Sequence, residues 1–446
     1  MARQLTKLDT DVVIIGGGPG GCTTAKELSS KGKKVILLEK GNDDNRLMGN
    51  KFGAGALIRL EKGFNFPLPF RKTQEGDPVI LAKCLGGGTV IYIGSAFLPD
   101  IDYWKRYNVE LGQDLIDEAM CETWVNMSPD DFIGPGTRRV WEAANDIGIP
   151  FDRLYRHIDF SRCEPACDKC ANGCQKNAKW TAREFANQAV ENGATLLTNT
   201  EVTDIIVEDN AAVGVRAAGK HGQNYEINAK IVVCAAGGTQ TARILQRTGL
   251  SDAGSWFTAD PTFFTFGFVK SGAGNAGEQP MAVGWHDEER KVIFFSLLSP
   301  FPAWQLQFVQ DEHFKGLSNL HRYRKALGVF SKVSDDGIGQ VFPDGKLSKT
   351  FTEDDMKRFD YSREVNTRIL IKAGCDPNDI HHSGFILGHP SGTVKVGQLL
   401  DSNLETSVKN FYCCDASVMP EAPGRPPVLT IVVLAKRLAR RLETIV

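Results

Sequence analysis

Four cysteines lie within one stretch of twelve residues, and thiolates at such close spacing can bind a metal. They are Cys163, Cys167, Cys170 and Cys174, in the pattern C-x3-C-x2-C-x3-C. Four thiolates on one centre suit a tetrahedral zinc ion or an iron–sulfur cluster. The segment lacks the paired C-x2-C units of a zinc ribbon, and this favours an iron–sulfur cluster of the 4Fe-4S or 3Fe-4S type. Structural zinc, disulfides and free thiols are the alternatives.

A glycine-rich turn near the start of the chain has the residues that bind a phosphate group. Gly16, Gly18 and Gly21 follow the apolar run Val12–Ile15, which is typical of a buried parallel strand, and precede a helical pattern. Such a turn lets the backbone approach a pyrophosphate at the positive end of the helix. The next apolar strand ends at Glu39, about 20 residues further on, where a carboxylate can accept from a ribose hydroxyl. The unit predicts a dinucleotide site, and Glu39 argues against a 2′-phosphate there.

A histidine and an aspartate near the end of the chain are further residues that could do chemistry. His389 begins the segment His-Pro-Ser-Gly-Thr, and Asp415 follows a short apolar run. A neutral imidazole serves as a base near neutral pH, because its ordinary pKa is about 6.5. Two more glycine-rich stretches, residues 83–94 and 235–245, permit the backbone to approach a large ligand.

The composition restricts the class of protein. The chain has 446 residues, 42% of them hydrophobic, with 52 basic and 54 acidic side chains. This length is enough for two domains, or for one large domain with an inserted lobe. The net charge of −2 gives no reason to expect a nucleic acid as a partner. The polar N-terminus and the lack of a long apolar run lead us to expect a cytoplasmic protein without a transmembrane segment.

These elements predict a chain that returns repeatedly to one domain. The strand–turn–helix units indicate an α/β domain assembled from residues 1–98, 185–251 and 388–446. Residues 99–184 are expected to form a helical insertion with the cysteines, and residues 252–387 a lobe of aromatic-rich strands. For each aromatic residue of the lobe, core packing is at least as good an interpretation as pocket lining. The pocket candidates are Trp256, Phe263, Phe264, Trp285 and Trp304.

Together these blocks resemble the glucose-methanol-choline oxidoreductase family. The resemblance rests on the first glycine turn with Glu39, the loop at residues 86–94, the turn at residues 235–245, and the segment from His389 through Asp415. The blocks occur in the family's order over nearly the whole chain. The resemblance implies FAD bound by a Rossmann-like, three-layer α/β domain, and an α+β substrate lobe whose mostly antiparallel sheet faces the flavin. It also implies oxidation of an alcohol or sugar hydroxyl by hydride transfer to flavin N5.

The resemblance also assigns roles to individual residues. His389 corresponds to the family's first active-site histidine, which takes or shares the alcohol proton. Pro426 stands where the family has a second catalytic Asn or His. Either one histidine suffices, or Arg425 supplies the missing positive charge, or the oxygen chemistry differs; Arg425 is equally well interpreted as a solvated loop residue. Tyr92-Ile93 replaces the family's usual Asn-Gly beside the flavin ring. The cofactor-binding residues that the resemblance implies are Gly16, Gly18, Gly21, Glu39, Gly88, Thr89, Val202, Gly237, Asp415 and Ala416.

The cysteines change the expected function, because a dehydrogenase passes electrons singly to a partner whereas an oxidase returns them to oxygen. The segment resembles that of a subset of the family, flavin sugar dehydrogenases with an iron–sulfur cluster on the insertion before the lobe. We therefore expect an FAD-dependent alcohol or sugar dehydrogenase whose electrons leave through the cluster to a partner protein or soluble acceptor. The alternatives are a flavin reductase of a carbonyl or alkene fed by reduced ferredoxin, and a non-catalytic flavin electron-transfer subunit.

Overall fold

The computed structural model describes residues 5–43, 71–272, 274–298 and 321–446, so that Trp304 lies outside the described residues. The strands are β1 (Leu5–Ile15), β2 (Val35–Glu39), β3 (Arg71–Lys72), β4 (Pro78–Val79), β5 (Val125–Met127), β6 (Asp152–Arg153), β7 (Tyr155–His157), β8 (Thr195–Thr198), β9 (Glu201–Glu208), β10 (Ala211–Ala218), β11 (Asn224–Cys234), β12 (Pro261–Val269), β13 (Val283–Asp287), β14 (Val292–Ser296), β15 (Ala326–Val333), β16 (Gly339–Val341), β17 (Leu347–Lys349), β18 (Cys375–His382), β19 (Ile386–Leu387) and β20 (Phe411–Cys413). The helices are α1 (Pro19–Ser30), α2 (Gly88–Ile91), α3 (Ile101–Lys105), α4 (Gln113–Glu122), α5 (Pro135–Asp146), α6 (Arg183–Glu191), α7 (Gln240–Arg247), α8 (Glu353–Lys372) and α9 (Val428–Glu443).

One sheet of seven strands forms the centre of the α/β domain. Its order is β8-β2-β1-β11-β10-β9, and β20 pairs with β11. The strands β8, β2, β1, β11 and β20 run parallel, whereas β10 and β9 are antiparallel additions. Val12 to Ile14 and all of β2 are buried, as expected for strands with helices on both faces. Helix α1 begins with a proline at its first turn, where the missing N–H costs nothing, and packs against α6 and α9.

A second, mostly antiparallel sheet of nine strands forms the lobe. Its order is β3-β4-β19-β12-β15-β14-β13-β6, and β18 pairs with β12. All nine residues of β12 and all eight of β15 are buried, because α8 packs against these strands. A capping box starts α8: the Asp355 amide donates to the Thr352 hydroxyl, and the Thr352 amide donates to the Asp355 carboxylate.

The observed architecture confirms the predicted fold class, an α/β nucleotide domain with an antiparallel lobe. The seven-stranded sheet takes its strands from three separate parts of the chain, as the alternating organisation requires. The insertion contains three helices and also β5, β6 and β7, and β6 joins the sheet of the lobe. The domain boundaries given above remain a prediction. Within the described ranges, no helix is both long and apolar enough to cross a membrane.

Candidate functional site

The glycine turn after β1 meets three different packing demands. Gly16 has φ +105°, and a Cβ there would lie 2.3 Å from the carbonyl oxygen of Ala235, so only glycine fits. At Gly21 a Cβ would lie 2.0 Å from the carbonyl oxygen of Gly16, because helix and strand pack closely. At Gly18 a Cβ would meet no atom within 4 Å. The open side of the turn therefore lies at the residue where the backbone approaches a pyrophosphate.

Glu39 turns its carboxylate back toward this turn. The Gly17 amide donates to its Oε2 at 2.8 Å and the Gly41 amide donates to its Oε1 at 2.6 Å. Burial raises the pKa of Glu39, and the two amide hydrogen bonds oppose that rise. A buried acid beside the glycine turn is the feature that accepts a ribose hydroxyl in dinucleotide sites.

The glycine loop, residues 86–94, lies directly against the turn. The Gly86 amide donates to the Gly17 carbonyl at 2.7 Å, and Gly88 is exposed with open space at its Cα. Thr89 is buried, and its hydroxyl makes two hydrogen bonds within the protein. It donates to the Gly86 carbonyl and accepts from the Ala182 amide. This contact ties the glycine loop to the segment that follows the cysteines.

The C-terminal segment supplies further residues beside the glycine turn and the glycine loop. The Asp415 carboxylate accepts from the Gly237 amide at 2.7 Å, from the Thr241 hydroxyl at 2.5 Å and from the Ser417 amide at 2.7 Å. The Ala416 carbonyl accepts from the Gly392 amide at 3.1 Å. Gly237 has φ +91°. A Cβ added to it would meet no atom within 4 Å, as at Gly18 and Gly88.

Val202 is buried in β9, away from these hydrogen bonds, and its carbonyl accepts from Arg247 at 3.4 Å. Gly18, Glu39, Gly237 and Asp415 thus lie at the carboxyl ends of the parallel strands β1, β2, β11 and β20, and the glycine loop lies against Gly18. Ligands of parallel sheets bind at this edge, and the open space at the glycines fits an extended dinucleotide such as FAD.

His389 lies at the lobe side of the cleft in a group of three titratable side chains. Its Nδ1 is 3.1 Å from Oδ2 of Asp260 and 2.5 Å from Nζ of Lys332, and its Nε2 is 3.1 Å from the same Nζ. Asp260 immediately precedes β12, and Lys332 lies near the end of β15. The exposed fraction of the side chain is 25% for His389, 4% for Lys332 and 0% for Asp260. Only the histidine of this group therefore has a substantial exposed surface.

Burial and neighbouring charge shift all three pKa values. Burial lowers the pKa of His389 well below its ordinary range, and the Lys332 charge lowers it further. Burial also lowers the pKa of Lys332 and raises that of Asp260, while each of these two partly offsets the other's shift. The imidazole is consequently neutral near pH 7, as a general base requires.

A second buried ion pair holds Asp260 in place. The Asp335 carboxylate accepts from the amides of Ala259 and Asp260 at 3.0 and 2.9 Å. Its other oxygen pairs with Lys349, and both side chains are fully buried. The Gly424 amide donates to the remaining oxygen of Asp260 at 3.0 Å, so that the backbone beside Pro426 also fixes this carboxylate.

The hydrogen bond and ion pairs of Arg425 involve residues other than His389, Lys332 and Asp260. Its guanidinium donates to the Leu98 carbonyl at 3.5 Å and lies 4.0 and 3.9 Å from the carboxylates of Asp100 and Glu288. Among the described residues, the cation in contact with His389 is Lys332, so a role for Arg425 in the chemistry stays a prediction. Sequence reasoning missed Lys332 and Asp260, although a lysine inside the mostly apolar strand β15 was a usable signal.

The aromatic pocket candidates that the structure describes pack mainly against other side chains of the lobe. Phe263 is fully buried, Phe264 contacts Phe330 with ring centroids 4.7 Å apart, and Trp285 stacks on Phe294 at 5.8 Å. The ring of Trp256 lies 5.8 Å from the ammonium of Lys395. Core packing is therefore the better interpretation of the first three.

The cysteine loop, residues 163–174, contains four unpaired thiols. Cys170 is buried, and the others are partly exposed. Tetrahedral zinc with four thiolates at about 2.3 Å needs sulfurs about 3.8 Å apart. No three sulfurs of this fully described loop lie within 4.8 Å of one another, so the loop as it stands lacks the zinc geometry. Binding of any metal to this loop stays a prediction.

Two fully buried cations separate the cysteine loop from the glycine loop. Lys179 donates to the carbonyls of Cys170, Val90 and Tyr92 at 2.7, 2.9 and 2.8 Å. Arg156 donates to the carbonyls of Ile93 and Pro280, both at 2.6 Å.

Neither cation contacts a carboxylate in the described parts of the chain. Arg156 also lies 3.8 Å from the Cys170 sulfur, and its Nε has no hydrogen-bond partner there. On the same side, the Gln279 amide donates to the Cys163 sulfur at 3.5 Å. Burial lowers the pKa of both Arg156 and Lys179, and the nearby thiols oppose this.

Family models fit most of this chain. Residues 10–261 and 361–435 match the two models described as GMC oxidoreductase. The chain therefore belongs to the glucose-methanol-choline (GMC) oxidoreductase family. Members of this family bind FAD, and the cleft built from the glycine turn, Glu39 and the C-terminal segment fits that cofactor. The prediction of a flavin-dependent oxidoreductase is confirmed at this level.

Individual relatives are distant. An uncharacterized protein of Methanocaldococcus jannaschii is 26% identical over 97% of this chain and 99% of its own length. A long-chain-alcohol oxidase of Arabidopsis thaliana is 23% identical over 98% of this chain and 68% of its own length. The crystal structure of pyridoxine 4-oxidase from Mesorbium loti superposes with a TM-score of 0.71, at 15% identity, over 97% of this chain and 99% of that one. This structural likeness shows the shared fold.

Proposed function

We propose that the chain is an FAD-dependent dehydrogenase of alcohol or sugar hydroxyls, and that its electrons leave through an iron–sulfur cluster on the cysteine loop. The class of reaction rests on the family and on a neutral, partly exposed His389 beside the cleft. The electron exit rests on one observation: two buried cations without a carboxylate partner in the described chain lie between the cysteine loop and the glycine loop.

The residues of the cleft have separable tasks in this function. The glycine turn and Glu39 would hold the adenosine diphosphate half of FAD, and the glycine loop and the segment from His389 to Asp415 the flavin half. Bound FAD supplies the acceptor for a hydride from the alcohol carbon. The imidazole of His389 would take the hydroxyl proton, because it is neutral and is the one partly exposed side chain of this group.

The electrostatics of the cysteine loop support an anionic occupant. An isolated buried cation costs several kcal/mol even after the surroundings relax. Arg156 and Lys179 have carbonyl oxygens as partners, and these satisfy hydrogen bonds without cancelling charge. Four thiolates with iron and sulfide carry net negative charge, so a cluster held by Cys163, Cys167, Cys170 and Cys174 would compensate both cations. Such a cluster would carry single electrons away from the flavin.

The position of the cations suits this electron exit. Lys179 donates to the carbonyl of Tyr92 and lies 4.6 Å from that ring, and Arg156 donates to the carbonyl of Ile93. Tyr92-Ile93 are the two residues that depart from the usual Asn-Gly of the family. The same two cations thus contact both Tyr92-Ile93 and Cys170 of the cysteine loop.

Anaerobic purification with iron and sulfide analysis and EPR tests the proposal. We expect iron and acid-labile sulfide together with FAD, and bleaching of the flavin by at least one member of a panel of alcohols and sugars. The Cys121→Ser variant, at an exposed thiol on α4, is the matched control and should keep the iron. Flavin without iron after anaerobic reconstitution, or zinc in place of iron, would refute the electron exit. Rapid reoxidation by oxygen would instead indicate an oxidase.

A further inference from the structure

Two donors from outside the cysteine loop reach two of its four sulfurs. The Arg156 guanidinium on β7 donates from Nη2 to the Cys170 sulfur at 3.8 Å. The Gln279 amide, shortly before β13, donates to the Cys163 sulfur at 3.5 Å. Both donors are buried, with 0% of Arg156 and 1% of Gln279 exposed. The two sulfurs therefore have hydrogen-bond donors that the loop itself does not provide.

The arginine also fixes the segment that carries the second donor. Its Nη1 donates to the Pro280 carbonyl and its Nη2 to the Ile93 carbonyl, both at 2.6 Å. Pro280 follows Gln279 directly, so Arg156 holds the backbone beside the Gln279 amide. The Nε–H of Arg156 has no acceptor within the described ranges. A buried donor without an acceptor is rare, so this side chain has donor capacity beyond what the described chain uses.

Two ion pairs beside the loop compensate each other's charge at the surface. Arg162 pairs with Asp159 at 2.8 Å, and Lys176 pairs with Glu164 at 2.6 Å. Accessible pairs of this kind are screened by water and salt and contribute a small field. The two buried cations described above therefore dominate over these pairs in the field at the sulfurs.

Donors and positive charge at these sulfurs act on the two redox states of a cluster unequally. Reduction adds one negative charge, and N–H donors and positive charge stabilise the reduced form more than the oxidised form. The effect is strong where water is excluded, because a low dielectric constant strengthens electrostatic interactions. The buried donors would therefore raise the reduction potential of a cluster on this loop.

We propose that Arg156 and Gln279 set the direction of electron flow, by raising the reduction potential of the cluster above that of the flavin. Reduced flavin then gives its two electrons singly to the cluster, and each passes to a one-electron acceptor before the next follows. The flavin protons leave to solvent, and no covalent bond of the cluster forms or breaks. This tuning rests on the proposed function, which supplies the cluster, and it names the residues that favour a dehydrogenase over a ferredoxin-fed reductase.

Anaerobic redox titration of the holoenzyme tests this tuning, with EPR reporting the cluster and absorbance the flavin. We expect the wild-type cluster to be reduced before the flavin as the solution potential falls. Arg156→Met should lower the equilibrium constant for electron transfer from flavin to cluster by about tenfold, the effect of one charge-assisted hydrogen bond, or about 59 mV. Arg156→Lys keeps the charge and should recover part of this shift.

Gln279→Leu tests the neutral donor with the arginine in place. Neutral hydrogen bonds are roughly half as strong as charge-assisted ones, so we expect a change of about threefold, or about 30 mV. The variant keeps both buried cations and therefore decides the outcome if Arg156→Met loses its iron. A cluster potential that falls in neither variant, or a wild-type cluster that is reduced only after the flavin, would overturn the proposal.

Arg363→Met is the matched control for removal of a buried guanidinium. Arg363 lies on α8 against the rings of Phe263 and Phe385, and its Nε also has no partner in the described parts of the chain. Its loss should leave the cluster potential unchanged, while the thermal midpoint reports folding of each variant.

Iron analysis separates this tuning from the proposed function. Flavin without iron in the wild type refutes the electron exit and the tuning with it. An iron-loaded protein whose cluster potential does not respond to Arg156→Met or Gln279→Leu refutes the tuning alone.

Discussion

Two regions of the molecule bury positive charge, and they compensate it in different ways. Beside His389, Lys332 has the carboxylate of Asp260 at 3.9 Å. Beside the cysteine loop, Arg156 and Lys179 have carbonyl oxygens and one thiol as partners. The first region therefore has its compensating negative charge within the polypeptide. The second needs an anion that the described chain does not supply.

A third buried cation shows what a purely structural arrangement looks like. Lys349 pairs with Asp335, and this carboxylate also accepts two backbone amides, so every charge is matched and fixed. Lys332 differs because an imidazole with an exposed face lies against it. The cations of the cysteine loop differ because no carboxylate of the described residues pairs with them. These differences fit the proposed functions, which are chemistry at His389 in the first region and binding of an anionic group in the second.

The largest predicted effect concerns the histidine. Loss of a positioned base slows proton transfer by roughly 10²- to 10⁴-fold, so His389→Gln should slow anaerobic reduction of the flavin by that factor. The amide keeps similar size and one hydrogen-bond donor, and stopped-flow absorbance measures the rate. Iron content should not change, because the cysteine loop is a separate region. An unchanged reduction rate would remove His389 from the chemistry.

The second-largest predicted effect concerns the cysteine loop, where a substitution should change the iron content and leave flavin reduction unchanged. Cys170 is the buried thiol of the loop and the one beside Arg156, so Cys170→Ser should remove iron and the EPR signal. Reduction of an external acceptor should fall by more than the about 10- to 100-fold typical of losing an outer-shell partner. Reduction of the flavin by substrate should proceed as in the wild type. If acceptor reduction survives without iron, the loop is not the exit for electrons.

The third prediction uses stability to compare the regions. A buried charge without a compensating partner carries a desolvation penalty of about several kcal/mol, and an apolar side chain of similar volume avoids it. Arg156→Met should therefore raise the free energy of unfolding of the iron-free protein by roughly 1 kcal/mol, since two carbonyls also lose their donor. With iron bound the same change should destabilise. Urea unfolding of both forms measures this.

Lys349→Met is the matched control for this comparison. It leaves Asp335 buried without its partner, and breaking a buried pair in this way costs about 3 to 5 kcal/mol. The loss should be the same with and without iron. Destabilisation of the iron-free protein by Arg156→Met would mean that its charge is already compensated.

The parts that sequence reasoning found are those encoded locally. The glycine turn, Glu39 and the C-terminal segment each have their residues within a short stretch, and the family order placed them in one cleft. Asp260 and Lys332 are 129 and 57 residues from His389, and only the register of the lobe sheet brings them together. No local pattern predicts that register.

The cations of the cysteine loop were missed for a different reason. In sequence, Arg156 and Lys179 look like ordinary surface charges, because most arginines and lysines are exposed. They lie 23 residues apart, one in β7 and one after the loop, and they meet only because the loop folds back on the glycine loop. The cysteine spacing, by contrast, was visible at once, but spacing alone does not distinguish the occupants.

The smallest effect is a pH dependence of stability at Lys332. Burial lowers its pKa in the folded protein below the ordinary value of about 10.4. Between these two pKa values the unfolded chain binds the additional proton, so the free energy of unfolding rises with pH by up to about 1.4 kcal/mol per unit. Lys332→Met should lack this rise, which urea unfolding between neutral pH and about pH 10 measures.

The exposed Lys105 supplies the control, because Lys105→Met should leave the profile parallel to that of the wild type. A parallel profile for Lys332→Met as well would mean that Lys332 keeps its proton over the whole range. The ion pair of Lys332 with Asp260 would then contribute to stability equally at every pH tested, and titration would not distinguish the region beside His389 from the cysteine loop.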